Sequence, residues 1–337
     1  MVDEPTSVSV STEASGPICS RLRITRTYDW PRGVLADGSA RSAELDRTEV
    51  ITTVELRAGE SFARIAVSFV NHADDHRVRF HAPLPKRADR SHAEGQFAVV
   101  ERGLSGEGGY REEPLATFPA HGWVDAGGLA VLADHVLEYE LTDDGAGIAV
   151  TVLRSTGLIS RNDNPYRQDP AGPEMAIPGG QMRGPHQVKF ALYPHAGGWA
   201  DGGVADAAER YRHPFVWSFG GAPADAGWPP PLAGENGLAI DAEDVVLSSV
   251  RRRDDGWLEA RLVNLAGDSR MAVMRGGLTD AREASLRGEP GDAMPVTNGS
   301  VRLELRPAEI RTVQFRRHET ALGRPDVLDA SGPRQSA

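Results

Sequence analysis

In the stretch Arg64-Ile65-Ala66-Val67-Ser68-Phe69, large apolar residues take every second position. A period of two puts Ile65, Val67 and Phe69 on one face of an extended chain and Arg64 and Ser68 on the other, which describes a strand with one buried side. The same period runs through Ile18, Leu22 and Ile24, which face away from Arg21, Arg23 and Thr25, so these too are expected in a half-buried strand. Further strands are expected near Glu49–Leu56, Val78–Phe80, Phe97–Glu101, Leu129–Leu132, Leu137–Leu141, Ile148–Arg154 and Val188–Tyr193. Turn residues such as Asp143-Asp144-Gly145 and Gly197-Gly198 separate them. Val204–Arg212 alone has the composition of a helix, stopped by Pro214.

Strands without intervening helices imply antiparallel sheets, each burying a face against another sheet. The expected fold is all-β, with sandwich packing. A doubly wound nucleotide-binding fold is excluded, because helices do not alternate with the strands and no G-x-G-x-x-G or G-x-x-x-x-G-K-[ST] run occurs. The 37 glycines and 23 prolines fit many turns and short strands, and 40% hydrophobic residues suffice for a sizeable core. At 337 residues the chain is long for one domain. A composition break at 220–237 (GGAPADAGWPPPLAGENG) reads as a linker, with a large β-sandwich before it at 1–219. After it, Val245–Val250, Leu258–Val263, Met271–Met274, Val301–Leu305 and Ile310–Phe315 read as a small β-sandwich over 238–317, its first hairpin turning at Arg251–Gly256. Residues 318–337 are polar and aperiodic and read as a flexible tail.

A net charge of −11 repels phosphate backbones and anionic membranes, so neither nucleic acid nor a membrane is an expected partner. The single cysteine, Cys19, cannot form an internal disulfide. The acidic start lacks the basic and apolar regions of a signal peptide, and a cytoplasmic location is the default expectation.

Three polar stretches are candidates for chemistry. His72-Ala73-Asp74-Asp75-His76-Arg77 gathers metal-ligand side-chain types, yet its place after a strand favours a structural corner in which Arg77 pairs with a carboxylate. Arg154–Arg167 (RSTGLISRNDNPYR) offers donors and acceptors suited to sugar hydroxyls; the alternative is a loop pinned by its own Arg–Asp pairs. Pro178–His186 is a glycine-punctuated turn that lets backbone approach a neighbour closely. Trp123, Trp199, Trp217, Trp228 and Trp257 are too scattered for a sugar platform and are assigned to cores. Asn298-Gly299-Ser300 reads as an Asn-Gly hairpin turn rather than a glycosylation site. Glycoside hydrolysis needs two flanking carboxyl groups, and no local pattern nominates such a pair among the 48 acidic residues. No G-x-S-x-G, H-E-x-x-H or cysteine nucleophile pattern is present.

Several phrases, taken in order, resemble the C-terminal half of the family 38 glycoside hydrolases, the zinc-dependent α-mannosidases, particularly the bacterial branch. They are Gly16–Pro31, Glu55–Glu60, Asn71–Phe80, Phe97–Gly103, Trp123–Asp125, Gly128–Leu132 and Glu138-Tyr139. Thr151–Arg154 into Gly157, Ser160-Arg161, Ala171–Pro173 and Pro178–Gln181 continue the series, and Leu247–Val250 and Pro307–Ile310 match more loosely. The resemblance implies a galactose-mutarotase-like super-sandwich followed by a smaller sandwich. It also implies that the zinc ligands and the aspartate nucleophile belong to other domains, expected to be absent upstream of Met1. No catalytic residue, metal ligand or cofactor is therefore carried over onto this chain.

On that resemblance the expected role is a scaffold that helps close an α-mannoside site. The low-lying candidates for its sugar-facing or domain-facing edge are Arg154, Arg161, Asp163, Arg167 and Gln181. The expected partners are α-mannoside glycans and a catalytic α-mannosidase domain, in cis or in trans, with homo-oligomers also expected. A stand-alone carbohydrate-binding module and an autonomous mutarotase- or lyase-like enzyme remain as alternatives. The scaffold role carries a structural expectation: an apolar face left open for the missing domain.

Overall fold

The computed structural model describes residues 1–214 and 237–317, apart from Ala36 and Glu107. All but Gly237 of the expected linker, and the whole expected tail, lie outside the described residues, as do Trp217 and Trp228. The strands of the first part are β1 (Ser7–Ser15), β2 (Cys19–Pro31), β3 (Leu45–Arg57), β4 (Ala63–Asn71), β5 (Arg77–Pro83), β6 (Arg90–Gly95) and β7 (Ala98–Gly103). They continue with β8 (Thr117–Ala120), β9 (Trp123–Ala126), β10 (Leu129–Leu132), β11 (Leu137–Thr142), β12 (Gly147–Arg154) and β13 (Gly184–Pro194). The helix α1 spans Val204–Arg212, as its composition predicts.

These strands form a nine-stranded antiparallel sheet, in the order β1-β2-β3-β4-β13-β10-β9-β6-β7, and a four-stranded sheet, β5-β12-β11-β8. The alternation that marks the sequence decides the packing between them. Ile65, Val67 and Phe69 of β4 turn inward with Phe190 of β13 and Val131 of β10, and meet Leu137, Tyr139 and Leu141 of β11 and Ile148 and Val150 of β12. Phe80 and Phe190 pack edge to face across the gap, 4.9 Å between centroids. A buried pair of hydroxyls is satisfied across the sheets, Ser91 Oγ lying 2.9 Å from Tyr139 Oη.

On its other face the nine-stranded sheet carries α1. Val204, Ala207, Ala208 and Tyr211 recur at helical spacing and pack on Phe62, Trp123, Ala130, Leu132 and Ala191. Arg212 anchors the last turn to Glu94 of β6 through bonds of 2.8 and 3.2 Å.

The four-stranded sheet is too narrow to cover the nine-stranded one. Directly paired residues share a face, so the register Val10↔Ile24, Leu22↔Val54 and Ser20↔Leu56 continues the inner face onto β1, β2 and β3. There Val8, Val10, Leu22 and Leu56 are exposed, and Ile18, just ahead of β2, is 76% exposed. Ile24 is half-buried as expected, but Ile18 and Leu22 correct the expectation: they are exposed, beyond the reach of the second sheet.

The chain divides between Ser218 and Phe219 into two compact units. The second holds β14 (Ala239–Asp241), β15 (Val245–Arg252), β16 (Leu258–Asn264), β17 (Arg270–Arg275), β18 (Leu278–Ala284), β19 (Pro290–Met294), β20 (Ser300–Leu305) and β21 (Ile310–Arg317). Its sheets, β14-β17-β20 and β15-β16-β21-β18-β19, enclose a separate core of Leu262, Met274, Leu303, Leu305 and Phe315 among others. Asn298 and Gly299 both take positive φ, and Thr297 and Ser300 exchange backbone hydrogen bonds, the two-residue hairpin turn read from Asn-Gly. Trp257 departs from its core assignment. It lies beside the Arg282 and Arg316 guanidiniums, 4.0 and 4.8 Å from its ring centroid.

Candidate functional site

The polar stretches singled out in the sequence meet at one end of the first unit, where β4 hands over to β5 and β12 to β13. The hinge of this corner is Asn71, fully buried at the end of β4. Its Nδ2 donates to the carbonyls of Gln181 and Met182, both at 3.0 Å, and its Oδ1 accepts from Ala73 N–H at 3.1 Å. The same oxygen lies 2.9 Å from His76 Nε2, so that nitrogen carries the proton and donates. Burial, followed by the Arg41 charge, holds the His76 imidazole below its ordinary pKa, consistent with a neutral ring packed edge-on against Trp30 at 5.3 Å.

Around that hinge the other candidates become braces. Gln181 Oε1 accepts from Asp75 N–H at 2.8 Å, Asp75 Oδ1 accepts from Gly157 N–H at 2.8 Å, and Arg183 Nε reaches Asp74 Oδ1 at 2.8 Å. Asp75 and Met182 hold left-handed φ values of 50° and 52°, conformations fixed by these bonds. Each would-be metal ligand except His72 is thus already engaged. Among the described residues no three His, Cys, Asp or Glu side chains come together to hold a metal ion. The side chains described here therefore offer no site for the zinc that the resemblance places in other domains.

The predicted site residues do not form one cluster. Arg154 joins a charge ladder on the outer side of the four-stranded sheet, its Nη1 3.0 Å from Glu138 Oε2. Arg77 pairs with Glu138 at 3.3 Å and Glu140 at 3.7 Å, and Arg79 pairs with Glu140. Burial pushes the Glu138 carboxyl up, but the Thr151 hydroxyl at 2.7 Å and the Arg154 and Arg77 guanidiniums hold it below the usual range. Arg167 Nη2 donates to Ser160 Oγ at 2.9 Å, while its buried Nε has no partner among the described residues. Arg161, whose Nη2 lies over Gly38, and the exposed Asp163 make no side-chain hydrogen bond or ion pair with described residues.

The long loop is therefore not pinned by its own Arg–Asp pairs. Asn162 bonds Glu174 at 3.2 Å, and bridges join Leu158 to Ala176 and Arg167 to Glu112. Sequence reading missed Asn71 as the hinge, and it missed a buried pair on the far side of the nine-stranded sheet. There Asp125 Oδ1 lies 2.7 Å from His195 Nε2, and burial pushes the Asp125 carboxyl up. A carboxylate inside the fully buried run Trp123–Ala126 was the available signal.

One open cavity of about 510 Å³ lies elsewhere, in the second unit, lined by Glu283, Leu286, Glu304, Arg306, Glu309 and Arg311. Four of its charges are spent on each other, Arg311 on Glu283 and Arg306 on Glu309, and the polar corner of the first unit is the better candidate.

No family model matches this chain, and no curated protein matches it. Solved structures do. A protein of glycosyl hydrolase family 38 from Enterococcus faecalis superimposes with a TM-score of 0.72 at 19% identity, over 92% of this chain and 36% of that one. An α-mannosidase from Enterococcus faecalis V583 gives 0.71 at 19%, over 92% and 35%. The fold is shared. This chain spans about a third of the length of the solved structures it matches, and no membrane-crossing helix occurs among its described residues.

Proposed function

We propose that this chain is the scaffold and site-closing β portion of an α-mannosidase, working with a catalytic portion supplied in cis or in trans. The observation that carries this reading is the uncovered inner face of β2 and β3. Leu22 and Leu56, with the exposed Ile18 just ahead of β2, carry the apolar side of the nine-stranded sheet past the four-stranded one and offer a surface to another body. The shared fold with two family 38 structures, each nearly three times as long as the matched region, supports the same reading.

In this arrangement the polar corner closes an α-mannoside site. Asn71, His76 and Gln181 hold the corner rigid, and Arg154 and Arg167 fix the ends of its long loop. Arg161 and Asp163, unspent on the protein, are left to meet sugar hydroxyls or the catalytic portion.

The test is turnover of an aryl α-mannoside by this chain alone and by this chain joined to, or co-expressed with, the catalytic portion encoded in the same genome. The chain alone is inert and the pair is active. Turnover by the chain alone, or an active catalytic portion that gains nothing from this chain, overturns the reading. A shift in tryptophan fluorescence with mannose on the isolated chain would favour a self-sufficient binding module instead.

A further inference from the structure

We propose that the free edge of β1 pairs with the same edge of a second copy of this chain, as an antiparallel ladder centred on Ser9. Among the described residues β1 bonds only to β2, so the outward N–H and C=O groups of Ser7–Ser15 are a template for another strand. The sequence on that edge is its own mirror. Thr6-Ser7-Val8-Ser9-Val10-Ser11-Thr12 reads the same in both directions.

An antiparallel partner centred on Ser9 sets Ser9 against Ser9 of the second copy, Val8 against Val10, Ser7 against Ser11 and Thr6 against Thr12. Like meets like on both faces, with the valines and flanking threonines on the inner side and the serines on the outer. A two-fold axis through Ser9 makes the contact isologous and closed, so it ends at a dimer.

Three further features favour this edge and this register. Charge and proline, the usual protection of exposed edges, are missing from Thr6–Thr12 and stand just outside it, at Glu4, Pro5 and Glu13. The β-bulge falls between Thr12 and Ala14, which leaves Ser7–Thr12 regular. A slip of two residues either way draws Glu4 and Pro5, or Glu13, into the ladder, so the centred register is the one free of both. Val8 and Val10 are 55% and 62% exposed and gain cross-strand neighbours across this edge. The contact uses the edge of the sheet rather than the face assigned above to a catalytic portion, so either proposal can fail without the other.

The experiment uses the full chain carrying Cys19→Ser. Light scattering gives twice the 36.2 kDa chain mass at high concentration. In the proposed register the Ser9 Cα atoms of the two copies are about 4.5–5.5 Å apart, within disulfide reach. Ser9→Cys therefore cross-links to itself on mild oxidation. Ser7→Cys and Ser11→Cys do not cross-link singly, because each lies roughly 14 Å from its own copy, but an equal mixture of the two does. Ser9→Asp abolishes the dimer and, at dilutions where both chains are monomeric, leaves the melting temperature unchanged. A chain that is monomeric at every concentration, a dimer that survives Ser9→Asp, or Ser7→Cys cross-linking alone overturns the proposal.

Discussion

Within the single strand β2 the inner face changes character: Leu22 is 42% exposed and Trp30 is 7% exposed, although the same two-residue period runs through both. Trp30 lies under the corner where β5 begins and packs on Phe69 and His76. Leu22 lies where no second sheet reaches. The contrast separates two things that alternation is often asked to supply together. Period determines which side of a strand is apolar; only the neighbouring layer determines whether that side is dry.

The largest effect comes from breaking the covered half. Phe190→Ala removes a fully buried ring between the sheets and costs about 3–5 kcal/mol in urea denaturation. Asn71→Ala, at the border of the covered half, costs about 1–3 kcal/mol, because the carbonyls of Gln181 and Met182 and the N–H of Ala73 lose their partner. Hydrogen exchange then quickens at Asp75, His76 and Gly157 before it does in the strands.

A smaller effect is expected from His76. Its folded pKa lies below the ordinary 6.5, so the unfolded chain takes up the proton first, and stability falls as pH drops through about 6.5 toward the folded value. Comparing melting temperatures above and below that pH, His76→Gln shows a shallower decline than the native chain. The smallest effect belongs to the uncovered half: Leu22→Ala changes stability by no more than about 0.5 kcal/mol, since water already reaches the side chain.

The sequence carried most of the fold. Strand type follows from alternation, as in Leu137–Thr142, where every second residue is buried, and α1 follows from its spacing and from Pro214. β1 falls outside the expected strands because Ser7–Ser15 offers only Val8 and Val10 as large apolar residues and has only edge pairing to hold it. β9 was passed over because a strand buried on both faces shows no alternation. The candidate site was less legible. Gln181 and Arg167 read as ligand-type residues, yet they bond to Asp75 and Ser160, partners far along the chain or hidden in a loop that only the folded corner brings together. Asn71 looked like an ordinary strand end, and its role depends on two carbonyls more than a hundred residues away.

A scaffold role requires the uncovered face of β2 and β3 to be a docking surface for the catalytic portion. Calorimetric titration of that portion with the native chain and with Leu22→Asp/Leu56→Asp tests it most directly, with melting temperatures as the control for folding. The native chain binds with a negative heat-capacity change, and the variant folds equally well but does not bind. Equal binding by both, or none by the native chain, would contradict the account.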